Sequence, residues 1–225
     1  MKAFTSAIIL GAKYLELDVQ LSSDLIPVVI HDTDLQRVGG EGTKVLESPW
    51  STLEGKVIGE AERFGNEYGN EKLSTLYEFA ELLDLNPHVH AFIEIKEESV
   101  FEFGSKAVVD AIMKAITKVK SQCTIISFDS TVLFYLRETV DIPVGFVLHK
   151  YDDAHRIVAQ HMKPDILICN YQKAPDEDGA LWPGEWKWFM YEIVEANVAW
   201  KWFDRGVEFI ETMEMENMLA AINER

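Results

Sequence analysis

Residues 123–169 read CTIISFDSTVLFYLRETVDIPVGFVLHKYDDAHRIVAQHMKPDILIC. Three short apolar runs, Cys123 to Ser127, Val144 to Leu148 and Asp165 to Cys169, alternate with two stretches of helical spacing. Those stretches run from about Ser130 to Thr139 and from about Asp152 to Met162. Strands so uniformly apolar are buried on both faces, and a helix between each pair is the crossover that parallel strands require. The fold class is therefore α/β.

The same alternation extends both ways. Upstream, His90 to Lys96 reads as a strand and about Val100 to Val119 as a helix; Ser74 opens an earlier helix, STLYEFAELL. Downstream, the loop KAPDEDGALWPGEW leads to a strand at Trp188–Ile193 and a helix at Ala196–Asp204 with Gly206 as its cap. A last strand at Val207–Ile210 and a closing helix at Glu214–Asn223 follow. With Tyr14–Val19 this makes seven βα strands, where a TIM (β/α)8 barrel has eight. Met1 to Gly11 already reads as the body of an amphipathic helix, with Phe4, Ile8 and Ile9 on one face, and no capping residue precedes it. The expectation is a single barrel domain over residues 1–225 that lacks its first strand in this chain. An open doubly wound sheet is the alternative, but no glycine-rich phosphate loop follows the first strand.

The chemistry concentrates at Tyr14–Asp32, YLELDVQLSSDLIPVVIHD. Strand alternation puts Glu16 and Asp18 on one side, roughly 6–7 Å apart. Paired carboxylates on an apolar strand resist burial unless a cation sits between them. A second strand, Ile26 to Ile30, delivers His31-Asp32 at its end. In a parallel barrel the strand C-terminal ends carry the site. Those ends bring Glu94 and Lys96, Ser127 and Phe128, His149, Asn170, then Tyr191 and Glu192. Glu16, Asp18 and Glu94, all oxygen donors, suit a hard divalent cation, Mg²⁺ or Ca²⁺. Lys96 offers positive charge to a phosphate oxygen, or else forms an ion pair with Glu94 that seals the barrel mouth. Trp182, Trp186 and Trp188 crowd the loop before the seventh strand, either lining a pocket or packing that loop.

The formal charge of −17 argues against nucleic acid and against an anionic membrane surface as partners. No run is long and apolar enough to span a bilayer, and the first residues lack a signal-peptide pattern, so a cytoplasmic protein is expected. Cys123 and Cys169 read as buried free thiols in a reducing compartment.

As a set, E-L-D (16–18), S-S-D-L-I-P-V-V-I-H-D (22–32), L-x-R (35–37), L-S-T-L-Y-E (73–78), I-E-I-K (93–96), S-F (127–128) and G-V-E-F-I-E-T (206–212) resemble the glycerophosphodiester phosphodiesterases. The resemblance covers nearly the whole chain. It implies a (β/α)8 barrel with a small insertion, here about residues 20–72. It also implies metal-dependent hydrolysis of a small-molecule glycerophosphodiester to glycerol 3-phosphate and an alcohol. Carried over, Glu16, Asp18 and Glu94 are metal ligands and His31 is one of two acid/base histidines. Lys96 acts in catalysis and, with Arg37, on phosphate charge; Ser127 and Phe128 are substrate contacts, and Tyr191 is a further candidate contact, although Tyr191-Glu192-Ile193-Val194 departs from the family's Trp-Thr-x-Asn on that strand. The family's His-Arg-Gly and Glu-Asn-Thr, from its first strand and the turn after it, do not occur in this chain. Either the sequence is truncated at its N-terminus, the favoured reading, or it is a relative that binds metal and phosphate ligands without turnover.

Overall fold

The computed structural model describes residues 1–175 and 179–223. The chain divides within a strand, after Ile125, into two compact units.

The first unit, Met1–Ile125, opens with helix α1 (Lys2–Ile9), closed by Gly11 in the left-handed region at φ +100°. Phe4 lies edge-on to Phe79 with ring centroids 4.9 Å apart, but Ile9 is 78% exposed, so the expected apolar face is only half used. Strand β1 (Tyr14–Leu21) then runs antiparallel to β2 (Pro27–Val29). A tight turn joins them: the Ser22 hydroxyl accepts from the Ile26 amide at 2.9 Å and donates to Asp24 Oδ1 at 2.6 Å. Asp24 in turn accepts from the Trp50 amide at 2.9 Å, which anchors the following excursion to the turn.

That excursion, residues 33–72, is ordered despite being rich in Gly and charge. Helices α2 (Gln36–Gly39), α3 (Trp50–Leu53) and α4 (Ala61–Phe64) are single turns. They surround their own apolar cluster of Val28, Ile30, Leu35, Val38, Val45, Leu53 and Leu73. Burial of such side chains is worth about 1.5–3 kcal/mol each, enough to order short turns that have no helical stability of their own.

Strand β3 (Ser74–Thr75) pairs antiparallel with β2, so Thr75 rather than Ser74 caps helix α5 (Leu76–Asp84). The cap is a reciprocal box: Thr75 Oγ1 accepts from the Glu78 amide, and Glu78 Oε2 accepts from the Thr75 amide at 2.7 Å. Strand β4 (His90–Ile95) lies parallel to β1 in a register that sets Asp18 opposite Glu94. The single helix expected over 100–119 is in fact two, α6 (Glu97–Phe103) and α7 (Ser105–Ala115). Gly104 separates them at φ +79°, a conformation that side chains rarely adopt. His90 is partly buried against Thr124, with Nε2 2.9 Å from the hydroxyl. The division falls inside strand β5 (Cys123–Ser127).

The second unit, Ile126–Arg225, follows the sequence pattern closely. Helix α8 (Ser130–Thr139) is capped by Asp129, whose carboxylate accepts from the Thr131 and Val132 amides. It buries Val132, Leu133 and Leu136. Strand β6 (Val144–Leu148), helix α9 (Asp153–Met162), strand β7 (Ile166–Asn170) and strand β8 (Lys187–Tyr191) come next, and the three strands are parallel. Helix α10 (Ala196–Asp204), strand β9 (Phe209–Ile210), parallel to β8, and helix α11 (Met215–Asn223) complete the unit. His155 is half-buried and bonded through Nδ1 to Asp152 at 2.6 Å. Part of the 173–186 loop, residues 176–178, lies outside the described residues. Trp182 stacks on Tyr151 at 3.9 Å between ring centroids, which gives the packing reading of this loop a concrete partner.

Cys123 and Cys169 are both buried and unbridged, and burial pushes each thiol up to about 12. Among the described residues no helix is long and apolar enough to cross a membrane.

Candidate metal and acid/base site

Glu16 and Asp18 stand two residues apart on one face of β1, and Glu94 is the cross-strand partner of Asp18 on β4. Carboxylate oxygens of the three lie within 4.8 Å of one another. Like charges directly opposite each other on neighbouring strands are destabilising. Glu94 is also withdrawn from water, while Glu16 and Asp18 are half-buried. Burial first, and the neighbouring Asp18 second, push the Glu94 carboxyl above its ordinary range; Lys96 opposes both.

Lys96 lies just past the end of β4, and its ammonium reaches back into the cluster. Nζ is 2.8 Å from Glu94 Oε1 and 3.3 Å from Asp18 Oδ1. Burial would lower the Lys96 pKa, but the two carboxylates outweigh it and hold the ammonium charged. The ion pair foreseen for Glu94 and Lys96 therefore forms, and it includes Asp18 as well. Three carboxylates with no nitrogen or sulfur ligand make a donor set that fits a hard divalent cation.

His31 follows β2 and is exposed. Its backbone is fixed against β1, since the Ile30 amide donates to the Asp18 carbonyl at 3.0 Å. Its ring Nδ1 lies 2.7 Å from Asp32 Oδ1. Asp32 is held below the ordinary carboxylate range: burial raises it, but hydrogen bonds from Arg37 and His31 prevail. An ionised Asp32 can only accept, so Nδ1 carries the proton and Nε2 is left to exchange one. A positive charge on His31 also acts on Glu94, pulling it down.

Arg37 forks onto Asp32, with Nε at 2.7 Å and Nη2 at 3.2 Å, while Nη1 reaches Glu60 Oε1 at 2.7 Å. The structure thus attaches Arg37 to the partner of His31, an arrangement that the L-x-R spacing does not disclose. Ser127, Phe128 and Tyr191 belong to the second unit or to its edge. The Ser127 hydroxyl accepts from the Asp129 amide at 3.0 Å. The Phe128 ring lies 4.5 Å from that of His149, and Tyr191 ends β8, half-buried.

Sequence reasoning missed Gln20, Glu98 and Ser99, which form a hydrogen-bonded group beside His31. The signal was available, because Gln20 continues the odd-even row of Glu16 and Asp18. It also missed Glu60, which has no pattern to reveal it.

The model of the Glycerophosphoryl diester phosphodiesterase family matches residues 1–177. The chain belongs to this family. A glycerophosphodiester phosphodiesterase of Caldanaerobacter subterraneus subsp. tengcongensis is 40% identical over 82 residues, 36% of this chain and 32% of that protein. Glycerophosphodiester phosphodiesterase 1 of Bos taurus is 24% identical over 140 residues, 62% of this chain and 41% of that protein. The chain thus aligns with less than half the length of either curated relative. Solved structures agree more broadly. An Oleispira antarctica phosphodiesterase, in complex with the product sn-glycerol-3-phosphate, superposes with a TM-score of 0.82 at 20% identity, covering 98% of this chain and 90% of that one. A glycerophosphodiester phosphodiesterase of Thermotoga maritima gives 0.71 at 23% identity, covering 97% and 89%. The fold of this family member is the TIM (β/α)8-type barrel.

Proposed function

We propose that the chain hydrolyses glycerophosphodiesters to sn-glycerol 3-phosphate and an alcohol, with a divalent cation, Mg²⁺ or Ca²⁺, held by Glu16, Asp18 and Glu94. The observation that carries this reading is the three carboxylates within 4.8 Å of one another, beside a Lys96 ammonium, in a member of this family. When bound, the cation supplies charge neutralisation and polarisation at a phosphate oxygen.

Hydrolysis adds a water oxygen to phosphorus and breaks the bond from phosphorus to the alcohol oxygen. One proton must leave the water and one must reach the alcohol. Nε2 of His31 transfers one of these protons, with Asp32 holding the tautomer that leaves this nitrogen free, and solvent exchanges the other. Arg37 keeps Asp32 ionised through its two bonds. Lys96 stays charged and offers its ammonium to the phosphate, while Ser127, Phe128 and Tyr191 are assigned to substrate contacts. The part of Arg37 in phosphate binding is secondary, because its donors already face Asp32 and Glu60.

The test is product identity. Purified chain given Mg²⁺ or Ca²⁺ and glycerophosphocholine, glycerophosphoethanolamine or glycerophosphoglycerol releases sn-glycerol 3-phosphate and the free alcohol, and EDTA stops it. Release of a phosphorylated head group, or no cleavage of any of the three with either cation, contradicts the proposal.

A further inference from the structure

Gln20 sits on β1 two residues beyond Asp18 and four beyond Glu16, so the three side chains share one face of the strand. It is fully buried, and every polar function of its amide is engaged. Nε2 donates to the His31 carbonyl at 3.3 Å and to Glu98 Oε2 at 3.2 Å. Oε1 accepts from the Ser99 hydroxyl at 2.6 Å, and Ser99, itself fully buried, accepts from the Leu21 amide at 2.9 Å.

A buried amide is costly unless satisfied, and here every one of its bonds goes to a group beside the site. The position of those bonds gives the amide a purpose beyond folding. One fixes the backbone of the residue that carries the imidazole. The other two fix Glu98 and Ser99, in the first turn of α6, which follows Lys96 directly in the chain. The same residue therefore ties together the strand bearing Glu16 and Asp18, the strand end bearing His31, and the helix that begins after Lys96.

We infer that Gln20 is a positioning residue for His31, setting the imidazole's place relative to the carboxylate cluster. The inference rests on the acid/base role proposed for His31. A displacement of about 1 Å in a reacting group can cost about a hundredfold in rate without affecting substrate affinity.

A double-mutant cycle tests it. In Gln20→Met, kcat for a glycerophosphodiester with Mg²⁺ falls about tenfold to a hundredfold while KM stays within about twofold and cation-induced stabilisation is retained. In a His31→Asn background the same substitution causes no further fall, because there is no imidazole left to misplace. An equal loss in both backgrounds, or an unchanged kcat in Gln20→Met, overturns the inference and leaves the role of His31 standing. An undiminished rate in His31→Asn itself overturns that role and the inference with it. Should Gln20→Met not fold, Glu98→Ala removes an exposed partner of the same amide: a fall of a few-fold in kcat, absent in the His31→Asn background, supports the inference, and no fall overturns it.

Discussion

An Asp18→Ala chain loses turnover and also loses the thermal stabilisation that Mg²⁺ or Ca²⁺ gives the wild-type chain. Asp18 is the middle of the cluster: it neighbours Glu16 along β1 and faces Glu94 across to β4. Its removal takes away one of three charges and leaves a weak donor pair. A ligand at a hundred times its dissociation constant stabilises a fold by about 2.7 kcal/mol. For a chain of this length that is a shift of roughly 5–10 °C in Tm. Melting curves in EDTA and in saturating cation read it directly. In EDTA the variant loses both the Asp18–Glu94 repulsion and the 3.3 Å contact of Asp18 with Lys96, so it is the cation-dependent shift that is compared with wild type. Lost Lewis-acid stabilisation of several kcal/mol corresponds to about 10³-fold or more in kcat/KM. A variant that keeps both its cation-dependent shift and its rate contradicts the assignment of Asp18.

Replacing His31 separates proton transfer from cation binding. In His31→Asn, kcat falls about 10²–10⁴-fold, the ordinary contribution of a positioned proton-transfer group. The cation-dependent shift in Tm persists, because the imidazole is not among the three carboxylates proposed to hold the cation. The side chain is 61% exposed, so its loss leaves no cavity to unfold the chain. Steady-state kinetics and paired melts distinguish this from a ligand role, in which both properties would fail together.

The carboxylate cluster was legible because strand alternation is strict: once Tyr14–Val19 is read as a strand, Glu16 and Asp18 must share a side, and only the register with His90–Ile95 remained to be found. The parallel strands were legible for a similar reason, each being an apolar run bounded by a helix. The break at Gly104 was not, because apolar residues continue at helical spacing on both sides and a single glycine is compatible with a helix. The ordering of the 33–72 excursion was hidden too. Leu35, Val45, Leu53 and Leu73 gather in one cluster without any periodicity along the chain. Loop partners such as Arg37 with Glu60, 23 residues apart, follow no secondary-structure spacing. Gln20 escaped notice because an amide is read as solvated until its burial is known.

The most direct measurement is anomalous diffraction from crystals of the chain soaked in Mn²⁺, a hard divalent cation that scatters strongly. A single strong peak bonded to carboxylate oxygens of Glu16, Asp18 and Glu94 is the predicted result. Crystals that bind Mn²⁺ only elsewhere, with Lys96 still bridging Glu94 and Asp18, would contradict a cation site at this cluster.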